Sequence, residues 1–402
     1  MGFSQVESAS IYSYGGPKGQ AYWDYQPMAM STHSETTGQA YDPKKAWESF
    51  DYHLQKPTDS AAAATTLSTG VKTTNYRVGM TTDEKPLRHL VEDGEAMGKA
   101  TGVLTTVYIS HATPAAFTIH TPSRKDKGIA QKMIGETALD LLIGAGHPWY
   151  DDSGKKKDKA NYEKVGGEEF WKSIEAGTVG ADADGDGEPD PWTLRTDLTK
   201  LDKVPIKELP KRLLGILPVT TTLQYNRSGD EKAEAYAVPM NTGLPDMATL
   251  VRGSLNFLNR DKDGFFLMAE GGAIDWAGHD NVQGRLVEEQ RDFDQAIEAV
   301  AAWVETNSSW EETLLIITAD HETGYLYGPG SKPRWKALKS NGKGQTPSVQ
   351  WHTGGHTNQL VPLFAKGNGA EKLMDHIKGE DPRRGPYVDN SDIPKVIRSV
   401  WR

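Results

Sequence analysis

The sequence predicts an α/β protein with a mostly parallel central sheet sandwiched between helices, and three observations lead there. Short apolar runs recur: VLTTVYI at Val103–Ile109, then Leu214–Val219, Phe265–Met268, TLLIIT at Thr313–Thr318, and LVPLFA near the end. Segments of helical character alternate with these runs, the pattern of strands joined by crossover helices. Polar residues suited to chemistry follow three of the runs at once: His111 and Thr113, Glu270 and Asp275, Asp320 and His321. In parallel sheets functional groups gather just beyond the C-terminal ends of strands.

Taken in order, the first fifty residues read as loop and short helix, rich in Gly, Tyr and Ser. SAAAATTLSTG from Ser60 reads as a small-residue helix ending near Gly70. A helical segment follows at Ile129–Ile143. From 144 to 203 the chain turns polar and rich in Lys and Asp, as expected of a surface insertion. Val282–Asn307 carries apolar residues at helical spacing. The Gly-, Pro- and Lys-rich stretch 328–350 reads as a loop insertion.

Composition narrows the function. The 402 residues carry a net charge of -10, with 37% hydrophobic and 25% charged residues. That balance suits a soluble globular chain and argues against a nucleic-acid surface. No apolar stretch approaches the roughly 18 residues a membrane helix needs. Cysteine is absent, so any metal must be held by His, Asp, Glu and hydroxyl groups. The N-terminus MGFSQV has neither the basic nor the apolar region of a signal peptide. The chain is then either cytoplasmic or without its true beginning.

Five strings carry candidate chemistry. In AEGGAIDWAGHD, a helix beginning near Asp275 would put Asp275 and His279 on one face, where both reach one metal; a helix-dipole Asp with a surface His is the plainer alternative. In LLIITADHETG, adjacent Asp320 and His321 share an ion only if the backbone bends. In WHTGGHTNQLVPLFAKG, either His352 or His356 could complete a zinc site, and spacing does not choose. In TDSAAAATTLSTG, Ser60 opens a helix whose free N–H groups and dipole favour an anion, or it is an ordinary N-cap. No Gly-x-Ser-x-Gly elbow is present, so a nucleophilic Ser60 would be activated by metal. In SHATPAAFTIHTPSRK, Thr113 offers a hydroxyl to a hard cation such as magnesium, and Arg124 a planar fork for phosphate oxygens.

In this order the five strings resemble the motifs of the alkaline phosphatases, and the resemblance covers nearly the whole chain. It implies one catalytic domain over 1–402 that hydrolyses phosphate monoesters through a phosphoserine at Ser60. It implies that Arg124 clamps the phosphate and Asp59 orients Arg124. It also implies two zinc ions, one held by Asp275, His279 and His356, the other by Asp320, His321 and Ser60, and a magnesium ion held by Thr113 and Glu270. His356 is preferred to His352 because its distance to LFAKG matches the family's ligand. A homodimer in the periplasm or outside the cell is implied as well.

Three departures qualify the match. His111 and Trp276 occupy positions that are Asp and Lys in some members; they mark a subgroup and bear on how tightly magnesium is held. In the family, a strand ending Gly-Asp-Gly-Met-Gly supplies an Asp between the second zinc and the magnesium. This chain starts at the Met-Gly of that string, so the natural protein is expected to carry that Asp, the strand and a signal peptide upstream. Starting at Met1, the second zinc site is expected to be impaired.

Separately, ADADGDGEPDPW places Asp182, Asp184, Asp186 and Asp190 in the alternating pattern that wraps calcium, although Thr193 stands where an EF-hand has its bidentate Glu; an acidic solvated loop is the alternative. The rival functions are a phosphodiesterase or sulfatase of the same superfamily, and a catalytically impaired protein that only binds metal or ligand.

Overall fold

The computed structural model describes residues 1–332 and 334–401. Its strands, in chain order, are β1 (Gln26–Ser31), β2 (Ala100–Tyr108), β3 (Leu141–Ala145), β4 (Thr193–Arg195), β5 (Leu213–Ile216), β6 (Phe265–Glu270), β7 (Leu314–Ile317), β8 (Glu322–Thr323), β9 (His356–Thr357), β10 (Val361–Gly367), β11 (Gly379–Asp381) and β12 (Gly385–Asp389). Two compact units divide the chain. The first comprises Met1–Asn75, Gly229–Pro239 and Ile274–Arg402, and the second Tyr76–Ser228 and Met240–Ala273.

The second unit holds the expected parallel sheet, in the order β4-β5-β3-β2-β6 with every pairing parallel. Strands β3 and β5 are buried throughout, and β2 in all but its last residue. Parallel sheets are covered on both faces and so read as continuous apolar runs. Helices Leu90–Ala96 and Met247–Leu258 pack against β2 and β6. A fully buried Arg212 ties the unit's loops together, donating to the carbonyls of Leu139, Thr137 and Asp190 at 2.7–2.8 Å.

Two expectations need correction here. The helical segment read at Ile129–Ile143 ends at Gly135, and the apolar run that follows is strand β3. Over so short a run periodicity does not separate a buried helix from a buried strand, and pairing with β2 and β5 decides it. The polar stretch 144–203 contains the helix Glu168–Glu175 and also β4, which extends the sheet beside β5.

The first unit contains a second five-stranded sheet, ordered β11-β12-β1-β10-β7. Only β1 and β12 run parallel within it. The reading of the first fifty residues as loop and short helix is therefore incomplete. They include the 12-residue helix Phe3–Tyr14 and β1, the sheet's central strand. β1 starts Gln-Pro and shows no polar–apolar alternation, because Met28–Ser31 are buried on both faces.

The helix Ser60–Thr69 forms as expected, capped by Asp59 and ended by Gly70 at φ 85°, a left-handed conformation that glycine adopts without steric cost. The long helix runs from Gln283 to Asn307. Between 328 and 350 only isolated bridges occur among the described residues, Tyr327 with Gln350 and Lys339 with Ser348; Pro333 lies outside the described residues. Among the described residues no helix is long and apolar enough to cross a membrane.

Strands β8 and β9 form a two-residue ladder pairing Glu322 with Thr357 and Thr323 with His356. Against it lies the helix Ala273–His279, whose approach depends on Gly278. A Cβ there would sit 2.9 Å from the Thr323 carbonyl oxygen. Because backbone cannot swing aside as a side chain can, Gly278→Ala is expected to cost about 1–3 kcal/mol, read as a lower denaturant midpoint at unchanged m-value.

Candidate metal and catalytic centre

Asp275 opens the turn of helix that ends at His279, so one face carries both side chains. The β8–β9 ladder brings His356 beside them. Their ligand atoms all lie within 4.8 Å of one another. Asp275 Oδ2 is 3.4 Å from His279 Nε2, and Oδ1 is 3.5 Å from His356 Nε2.

The two imidazoles meet with their Nε2 atoms 3.0 Å apart. Each points its Nδ1 at a backbone carbonyl, Gly354 for His279 at 2.7 Å and Thr58 for His356 at 2.8 Å. A carbonyl can only accept, so both Nδ1 atoms carry protons. The facing Nε2 lone pairs then need a proton or a cation between them. Histidine ligands of metals are oriented in this way, by a carbonyl on the other ring nitrogen. The donor set of carboxylate and imidazoles suits zinc.

Asp320 and His321 follow β7 and share the next position. The backbone bends there, and the Asp320 Oδ2 atom lies 3.0 Å from His321 Nε2. Ser60 Oγ approaches the same Nε2 at 3.1 Å. Ser60 is the first residue of its helix and is buried, with Asp59 as N-cap accepting the Ala62 amide at 3.0 Å. The His321 ring also stacks on His356, with centroids 3.7 Å apart. Asp320, His321, Asp275, His279, His356 and Ser60 thus form one continuous group within the first unit.

Charge in this group follows from burial and proximity. For Asp275 burial opposes ionisation, but the imidazoles of His356, His321 and His279 outweigh it and hold the carboxyl well below its usual range. Burial opposes ionisation of Asp320 too, yet the adjacent His321 imidazole holds it below its usual range. Burial pushes His321 down in spite of Asp320. His356 is raised, because Asp275 overcomes its burial.

The backbone behind this group is braced. Gln5 Nε2 donates at 2.8 Å to both Glu322 Oε1 and the Thr323 carbonyl, and Thr357 Oγ1 donates to Glu322 Oε2. His352 lies elsewhere, edge-on to the rings of Phe50 and Tyr325. Trp276 lies on the helix between Asp275 and His279 and is half-buried.

The remaining candidate residues belong to the second unit. His111 precedes the short helix Ala112–Ala116, which carries Thr113, and both are buried. Arg124 Nη2 lies 3.4 Å from His111 Nε2. Glu270 ends β6 and accepts a 2.6 Å hydrogen bond from Thr105, its register partner on β2. In the acidic loop, Asp182, Asp184 and Asp190 draw together while Asp186 accepts the Glu188 amide. The Lys211 ammonium lies among them, 2.7 Å from Asp184 and 2.5 Å from Asp190, and these two carboxylates raise its pKa.

The sequence reading missed one cluster, His89, Glu92 and His120, whose ligand atoms also lie within 4.8 Å. Its signal was a residue three places before a Glu at a helix start. His89 Nδ1 accepts the Glu92 amide while Glu92 Oε2 accepts the His89 amide, so the pair is a capping box. Accepting at Nδ1 leaves the proton of a neutral His89 on Nε2, which removes that atom as a metal ligand. His120 bridges the Gly79 carbonyl at 2.8 Å and Glu92 Oε1 at 3.1 Å.

A buried serine beside Asp and His side chains of metal-ligand geometry in an α/β protein fits a metal-dependent enzyme with a serine nucleophile. The comparisons with known proteins point the same way. The family model described as alkaline phosphatase matches residues 45–346. The chain is 31% identical to alkaline phosphatase 3 of Bacillus subtilis, covering 85% of this chain and 77% of that protein. With alkaline phosphatase 4 of the same organism it shares 29% identity, covering 71% of this chain and 53% of that protein. Among solved structures, the alkaline phosphatase of the Antarctic bacterium TAB5 superposes with a TM-score of 0.65 at 26% identity, covering 100% and 96% of the two chains. The cold-active enzyme of a Shewanella species superposes at 0.69 with 22% identity, covering 100% and 97%. The chain belongs to the alkaline phosphatase family, whose members are metal-dependent phosphate-monoester hydrolases.

The His120–Glu92 pair makes stability depend on pH. Its hydrogen bond to Glu92 raises His120, a contribution present below the unfolded His value and lost as pH rises through the raised one. Glu92 is brought to about 2 by the two histidines against its burial, so its contribution is present above about 4.5 and fades toward pH 2. Both side chains are partly exposed, which limits the pair to about 1 kcal/mol. His120→Gln should therefore destabilise more at pH 6 than at pH 9, measured by thermal melts at the two pH values.

Proposed function

We propose that the chain hydrolyses phosphate monoesters to an alcohol and inorganic phosphate by way of a phosphoserine at Ser60. The observation that carries this reading is the 3.1 Å approach of Ser60 Oγ to His321 Nε2 within the Asp/His group. Asp275, His279 and His356 would hold one zinc, and Asp320, His321 and Ser60 a second. Thr113 and Glu270 are proposed as magnesium ligands, with His111 and Trp276 nearby in sequence. When bound, divalent cations supply Lewis acidity, lowering the pKa of coordinated hydroxyls and offsetting phosphate charge.

The chain's own residues do the rest. Ser60 lies at the positive end of its helix dipole, which favours an anionic oxygen there. Ser60 Oγ gives its hydroxyl proton to solvent and attacks phosphorus, the ester P–O bond breaks, and the departing alkoxide takes a proton from solvent and leaves as the alcohol. Water then attacks the phosphoserine, the P–Oγ bond breaks, and phosphate departs with Ser60 restored. Arg124 is proposed to hold phosphate oxygens with its planar fork, with Asp59 orienting it. That use of the fork favours monoesters over diesters, whose second ester group masks an oxygen. A homodimer in the periplasm or outside the cell accords with the family.

A structural calcium ion among Asp182, Asp184, Asp186 and Asp190 is proposed as well. It would have to displace the Lys211 ammonium, so Lys211→Ala should increase the gain in melting temperature produced by millimolar calcium. An unchanged gain rejects the calcium site.

The catalytic reading is tested with p-nitrophenyl phosphate. Hydrolysis should be lost on treatment with a chelator, return with zinc and magnesium, and fall at least about 10³-fold in Ser60→Ala. Acid quenching during turnover should trap a phosphate on the peptide containing Ser60. Metal binding without turnover or trapping would favour the impaired binding protein instead.

A further inference from the structure

Thr323 occupies the point where the two proposed zinc sites meet, although no ligand role falls to it. It is buried in β8. Its hydroxyl lies 2.5 Å from Asp275 Oδ1 and 3.3 Å from His321 Nδ1. A hydroxyl has one proton to give and lone pairs to receive. A carboxylate only accepts, so the Thr323 proton goes to Asp275. What is left toward His321 is a lone pair, and the Nδ1 atom must then be the donor. This selects the tautomer of His321 with its proton on Nδ1. That tautomer leaves Nε2 bare, with Ser60 Oγ at 3.1 Å and the accepting Asp320 Oδ2 at 3.0 Å. Two facing acceptors need a cation between them, so this tautomer belongs to the metal-loaded centre, whereas without metal Asp320 favours the proton on Nε2.

We propose that Thr323 is a positioning residue for the whole centre, its single hydroxyl fixing both the Asp275 carboxylate and the tautomer of His321. The inference rests on the zinc assignments proposed above. It extends them, because it links a ligand of one zinc to a ligand of the other through one side chain. The neighbouring packing makes the hydroxyl hard to reorient: the Thr323 carbonyl is held by Gln5, its Cβ faces Gly278, and its strand is paired with His356.

The test compares Thr323→Val, which keeps the shape and removes the hydroxyl, with Thr323→Ser, which keeps the hydroxyl. Zinc affinity is measured by competition with a chromophoric chelator, and the metal-free proteins are melted alongside. Thr323→Val should bind zinc about 10–100-fold more weakly while Thr323→Ser stays within about 3-fold of the parent. Equal zinc affinity in the Val variant and the parent overturns the proposal, as does a Ser variant as weak as the Val variant. If Thr323→Val does not fold without metal, Thr323→Ala is measured instead against the same two outcomes. Asp275→Ala is the control for the underlying reading. Full zinc stoichiometry in that variant rejects the zinc assignment itself, whereas loss there with no effect at Thr323 rejects only the positioning role.

Discussion

A carboxylate surrounded by three imidazoles sets the terms for the first unit. Asp275 lies within 4.0 Å of His279, His356 and His321. Burying an ion is costly unless it is paired, and half-satisfied polar clusters are worse than apolar packing. The surrounding backbone meets that cost by holding each partner at a fixed orientation. Two carbonyls fix the Nδ1 atoms of His279 and His356, and the β8–β9 ladder holds His356 against His321. The close contact at Gly278 brings the Asp275 helix onto the ladder.

Magnitudes indicate why such a group calls for a cation. A net hydrogen bond contributes about 1 kcal/mol, while two unit charges 4 Å apart at an effective dielectric near 20 interact by about 4 kcal/mol. The carbonyl contacts can therefore orient the rings but cannot offset two facing nitrogen lone pairs and two half-buried carboxylates. A divalent cation can. The acidic loop of the second unit meets the same demand differently, since the Lys211 ammonium is already among its carboxylates.

Much of the site was legible in the sequence because its parts are local. The Asp275–His279 spacing follows from helix geometry, the Asp320–His321 pair adjoins an apolar run, and Ser60 opens an Ala-rich helix whose ends are marked by Asp59 and Gly70. Elements whose character depends on distant partners were not legible. β1 has no periodic pattern because both of its faces are covered, and Leu141–Ile143 became strand through pairing rather than propensity. Thr323 gives no local signal, since its importance lies in a carboxylate 48 residues away.

By itself the sequence determined the α/β class, the family motifs and the residue types from which a metal centre can be built. All of these depend on patterns within a turn of helix or the length of a strand. The spacing of the two histidines left His352 and His356 open and the family resemblance favoured His356; their tertiary surroundings give the physical reason, aromatic rings for one and Asp275 with His279 for the other. Tertiary structure also decided which hydroxyl joins Asp275 to His321 and which ammonium meets the acidic loop. Such matters turn on distances of a few ångströms between residues far apart in the chain, which no local pattern encodes.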